Sequence, residues 1–100
     1  MRTLHFSVNE QKLIYHKDKP IIIGSKGYLK AAFDLTKEWA DLRIAAQFFD
    51  KHDNEFAVLL KDNQCMVPDA VTQDYFFKVS LIGVGPYVLT TNKVTIRQEA

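Results

Sequence analysis

Few residue types in this sequence could do chemistry, and those few are poorly spaced for it. The three histidines are His5, His16 and His52, and Cys65 is the one cysteine. A zinc site draws ligands at short fixed intervals, and no two of these four stand at such an interval. His5 falls on the polar side of an alternating stretch and His52 in a polar loop, where a solvated imidazole is the plain reading. Cys65 with a distant histidine has the types of a nucleophile–base pair. It sits, however, in the apolar triplet Cys65-Met66-Val67, the setting of a small buried filler. The charged run Asp50-Lys51-His52-Asp53-Asn54-Glu55 superficially resembles a calcium loop but has His52 at the third position and Glu55 at the sixth, where glycine is required. Gly24-Ser25-Lys26 lacks the glycine spacing and the following helix of a phosphate loop. No catalytic residue, metal or cofactor is expected, and an enzyme ranks last among the readings.

Bulk properties narrow the class. The chain has 100 residues, a net charge of +1, 47% hydrophobic and 25% charged residues. These values suit one globular domain over residues 1–100 and exclude a disordered tail. The charge balance argues against a general nucleic-acid binder, which carries a strongly basic face. No apolar run approaches the roughly 20 residues of a membrane helix. The opening Met1-Arg2-Thr3-Leu4-His5-Phe6 alternates rather than forming the apolar stretch of a signal peptide. A single cysteine cannot form an internal disulfide, which fits a reducing interior.

The elements that position these residues announce themselves by alternation. Leu4, Phe6 and Val8 share one side of a strand, and a turn at Asn9-Glu10 leads to a second over Lys12–His16. Pro20 breaks the chain before a short strand or edge segment at Ile21–Ile23. Leu29, Ala31, Phe33 and Leu35 then alternate, as do Leu42, Ile44, Ala46 and Phe48. Between them Thr36–Asp41 reads as a polar corner, with one helical turn and Trp39 folded back as a plug. Phe56, Val58 and Leu60 return after a hairpin loop, Cys65–Val67 follows, and Pro68 opens a second helical turn. Tyr75, Phe77, Val79 and Leu81 make the strongest strand, Gly83-Val84-Gly85-Pro86 turns the chain, and Val94 and Ile96 mark the last. The expectation is all-β: an antiparallel, immunoglobulin-like sandwich of about eight strands with one or two helical turns.

Three surface features stand out. Lys12, Lys17, Lys19, Lys26 and Lys30 face only Asp18 in charge, a stripe that could meet an acidic partner or guard an edge strand. Phe49, Phe76 and Ile82 each lie opposite a core stripe and would either form an exposed apolar interface patch, with Asp50 and His52 in the neighbouring hairpin as its rim, or be hidden by a two-sided core or a covering loop. Sheet edges offer another binding route. Trp39, Tyr28, Tyr75 and Tyr87 are the candidate stacking platforms of a carbohydrate-binding module.

A set of short words recurs in a fixed order: Leu4-His5-Phe6-Ser7-Val8, Gly24 to Lys30, Glu38-Trp39, Ala46-Gln47-Phe48, Val58-Leu59-Leu60, Cys65-Met66-Val67-Pro68, Phe77 to Gly83, and Thr90-Thr91-Asn92-Lys93-Val94. In this order the chain resembles small late-module proteins of phages and prophages from Gram-positive bacteria. It is similar to the N-terminal β-sandwich domain of baseplate upper proteins over nearly its whole length. Asp69 departs from that pattern, in which an aromatic residue often follows the proline, and those proteins often continue into further domains. The resemblance implies a non-enzymatic tail or baseplate module, made in the host cytoplasm and carried in the virion. Its implied partners are other tail or baseplate proteins and further copies of itself, with no nucleic acid and no membrane. A module for host cell-wall glycans and a phage-encoded modulator of a host protein are the alternatives. No catalytic residue carries over.

Overall fold

The computed structural model describes residues 1–100. Nine strands form two packed sheets: β1 (Arg2–Asn9), β2 (Lys12–His16), β3 (Leu29–Leu35), β4 (Arg43–Phe49), β5 (Glu55–Leu59), β6 (Gln64–Met66), β7 (Phe76–Val84), β8 (Val88–Thr90) and β9 (Val94–Arg97). The helical content is two 3-10 turns, Lys37–Trp39 and Asp69–Val71, the second entered from Pro68. One sheet runs β2-β1-β3-β6 and the other β5-β4-β7-β8, with β9 following β8 along the same side of β7.

Alternation builds the core as expected. Leu4, Phe6 and Val8 of β1 and Leu29, Ala31 and Phe33 of β3 face Ile44, Ala46 and Phe48 of β4 and Phe77, Val79 and Leu81 of β7 in one buried cluster. The Phe6 and Phe33 rings stack at 4.9 Å, a geometry that adds to their area burial. Trp39 is 1% exposed and plugs the crossing between the sheets. Gly83 makes room for it, since a Cβ there would lie 2.8 Å from Leu42 Cδ1 and 3.0 Å from the indole.

Three expectations are corrected. The four-stranded sheet is mixed rather than antiparallel, because β1 and β3 pair in parallel from Arg2↔Leu29 to Val8↔Leu35. The β1–β2 hairpin returns the chain to the end where β1 began, so β3 starts beside Arg2 without a long crossover. The Arg2 guanidinium donates to the carbonyls of Lys19 and Pro20 and so ties down that connection. Ile21–Ile23 is no strand; Ile22 makes a single parallel bridge to Glu99, with Ile23 N–H donating to Glu99 O at 2.8 Å. The count rises to nine through β8, which sequence alternation missed because it is three residues long and follows a proline turn.

Candidate interaction surface

Phe49, Phe76 and Ile82 do lie on one face, the outer side of the five-stranded sheet, because all three are out of phase with the buried residues of β4 and β7. They are not one exposed patch. Phe49 is only 7% exposed, and the Lys93 ammonium sits 4.0 Å from its ring centroid, an approach that favours the cation electrostatically. Phe76, beside Arg97 of β9, is half-buried, and so is Ile82. Six residues of extended β7 separate those two side chains by roughly 20 Å. Between them Ser80, itself buried, donates to Gln47 Oε1 at 2.9 Å, so the middle of the face is polar.

The exposed apolar surface gathers instead around Ile82. Register places Leu59, Ala45 and Ile82 in one row across β5, β4 and β7, and Val84 opposite Val88 in the next. Leu59, Val84 and Val88 are 62%, 51% and 60% exposed. Arg43, Lys78, Lys93 and Arg97 share this face, and Glu55 is the one carboxylate among its strand residues. The face is divided: Arg43, opposite Val84, flanks the apolar end, whereas Lys78, Lys93 and Arg97 gather at the Phe49 and Phe76 end. The sequence reading missed all three: Leu59 is out of phase with Phe56, Val58 and Leu60, a signal that could have found it, whereas Val84 was read as part of a turn and Val88 needed β8.

The Asp50–Asn54 loop stands at the opposite, Phe49 end. Asp50 Oδ1 accepts from the backbone N–H groups of His52 and Asn54, and Oδ2 accepts from the Asn54 side-chain amide, all at 2.9 Å. These bonds, the Asn54 side chain foremost, hold the Asp50 carboxyl below its usual range. Lys51 pairs with Asp74 at 2.8 Å, tying the loop to the start of β7. Asp50 and His52 therefore rim Phe49 and lie far from Leu59, Val84 and Val88.

The outer face of the four-stranded sheet holds a different constellation. Pairing of β1 with β2 and β3 brings His5 beside His16 and Ala32, and Ser7 beside Ile14 and Asp34. His16 Nε2 and Ser7 Oγ are hydrogen-bonded at 2.8 Å in a shallow groove of about 430 Å³ that Asp62, Asn63 and Gln64 complete. A hydroxyl–imidazole contact has the types of a nucleophile–base pair, and the sequence missed it because the strand register creates it. Ser7 sits on a central strand whose N–H groups serve ladders on both sides, so backbone donors cannot turn toward an oxyanion there.

Cys65 is buried, and burial pushes its thiol up to about 12. Of the stripe lysines, Lys17 and Lys19 line a pocket of about 170 Å³ with Tyr15, Ile21, Arg97 and Glu99, at the seam between β2 and β9. Tyr28, Tyr75 and Tyr87 are exposed, and the Tyr87 hydroxyl donates to the Glu38 carbonyl. Trp39 is lost as a stacking platform, since both of its faces are packed in the core.

Comparison with protein-family models, curated proteins and solved structures gives no match.

Proposed function

We propose that this chain is a non-enzymatic protein–protein contact module and, following its sequence resemblance, a tail or baseplate component of a phage of Gram-positive bacteria. The observation that supports a contact role is the exposed cluster of Leu59, Val84 and Val88 around Ile82, with Arg43 beside it and Lys78, Lys93 and Arg97 farther along the same face. Exposed apolar side chains grouped at one end of a sheet, with charges on the same face, are the anatomy of a docking surface. The cations along the face suit a partner that sets an acidic region beside an apolar one. In this reading the two sheets are an immunoglobulin-like sandwich in which one strand pair has become parallel. The protein is made in the host cytoplasm, enters the virion in several copies, and binds neither nucleic acid nor membrane.

Quantitative mass spectrometry of purified particles tests the assignment. A fixed ratio to known tail proteins is expected. Abundance in the lysate with absence from particles overturns it in favour of a host-directed modulator. Val88→Glu, on an exposed side chain, should leave the monomer folded and block incorporation. Phe76→Glu separates the two ends of the face: unfolding would make Phe76 a core residue. A folded Phe76→Glu chain that fails to assemble would extend the interface to Phe49.

A further inference from the structure

The two sides of the five-stranded sheet are finished differently. On the β9 side, the seam with the other sheet is stitched by side chains: Asn92 bonds both backbone groups of Leu13 in β2, and Gln11 Nε2 donates to Thr90 O. On the β5 side the edge is open. Asp50 N–H donates to Asn54 O and Leu60 N–H to Ile44 O, which fixes the parity of the β4–β5 ladder. Even-numbered residues of β5 therefore turn their peptide groups toward β4, and Glu55, Ala57 and Leu59 turn theirs outward. None of these outward N–H or C=O groups has a partner within the chain. The strand Glu55-Phe56-Ala57-Val58-Leu59 contains no lysine, proline or bulge to discourage pairing.

From this edge we infer that β5 pairs antiparallel with β5 of a second copy of the chain, about a two-fold axis at Ala57, joining two five-stranded sheets into one. Ala57 then faces Ala57 of the other copy and Glu55 faces Leu59, so every outward peptide group from 55 to 59 meets a complementary one. Phe56 faces Val58 on the inner side. Each is half-buried in the single chain, and this close, non-hydrogen-bonded pairing completes their burial. The same register sets Asp53 of one copy against Lys61 of the other at each end of the strand, acid to base, both exposed in the single chain. A register displaced by one residue would oppose inward-turned to outward-turned peptides and lose the ladder. The proposal goes beyond the phage assignment and holds for the isolated chain.

The test is light scattering on size-separated full-length protein over a range of concentrations up to sub-millimolar. The wild type should be a dimer that dissociates on dilution. Ala57→Lys and Ala57→Glu change an exposed outward side chain, so each monomer keeps its fold, checked by circular dichroism. Each places like charges directly opposite and should weaken the dimer by about tenfold or more. An equimolar mixture of the two variants should restore it. A wild type that stays monomeric at the highest concentration overturns the proposal. So does a dimer that survives Ala57→Lys unchanged, or a variant mixture that gives no recovery. Particle incorporation plays no part in this readout, so its failure and that of the phage assignment are separate.

Discussion

The side-chain amide of Asn92 takes the place of a neighbouring strand for Leu13: its Oδ1 accepts from the Leu13 N–H at 2.7 Å and its Nδ2 donates to the Leu13 carbonyl at 3.1 Å. One side chain thereby satisfies both peptide groups of a residue 79 positions away and closes the β2 edge against the other sheet. Next to it, Thr91 Oγ1 accepts from Leu81 N–H at 2.9 Å, filling the gap in the ladder between β8 and β9. Asn92→Ala leaves a partly buried donor and acceptor without partners and should cost about 1–3 kcal/mol. Urea unfolding of the two proteins measures this; an unchanged midpoint would mean that water replaces the amide.

Trp39 combines apolar burial with one polar anchor, its Nε1–H donating to Glu10 O at 2.7 Å. Trp39→Ala should cost roughly 3–5 kcal/mol through the cavity it leaves. Trp39→Phe keeps much of the volume and should cost less, mainly the lost hydrogen bond. Native tryptophan emission should be blue-shifted and insensitive to added cell-wall oligosaccharides. A glycan-dependent change in it would reopen the carbohydrate-binding alternative.

Gly83→Ala should be destabilising by about 1–3 kcal/mol, because the new methyl meets Leu42 and the Trp39 ring inside van der Waals contact. Thermal melts read the loss. Pairing with Leu42→Ala should recover part of it, since that change removes one of the two obstructing groups.

Burial raises the Cys65 thiol from an ordinary value of 9.0 to about 12. The folded chain keeps its proton where the unfolded chain loses it. This contribution to stability is complete below about pH 9 and is lost as pH rises toward 12. Thiol-reactive dye at pH 8 should label the native protein far more slowly than the denatured one. Equal rates would place the thiol at the surface.

Asp50 works in the opposite direction. Its carboxyl is lowered by the Asn54 side chain first and then by the backbone N–H groups of the loop. The stabilisation is present above the ordinary carboxylate range and is lost as pH falls through the lowered value. Carbon-detected NMR titration should find Asp50 titrating below free aspartate. Asn54→Ala should move it back up while leaving the core resonances in place.

Much of the fold could be read from residue order. Leu4-Phe6-Val8, Leu29-Ala31-Phe33, Ile44-Ala46-Phe48 and Phe77-Val79-Leu81 alternate because each strand has one face in the core, and all twelve are buried. Pro68 and the Thr36–Asp41 corner marked the two helical turns for equally local reasons. Alternation states which side of a strand is inside and is silent on what lies beside it. The parallel β1–β3 pairing, the Ser7–His16 contact and the gathering of Leu59, Val84 and Val88 around Ile82 are all properties of neighbouring strands. Phe49 shows the same division: its phase put it correctly on the outer face, and only the fold brought Lys93 over its ring. Side-chain direction is a two-residue repeat written along the chain, whereas exposure depends on which distant segment comes to rest against it. That choice is made by the packing of the two sheets as a whole.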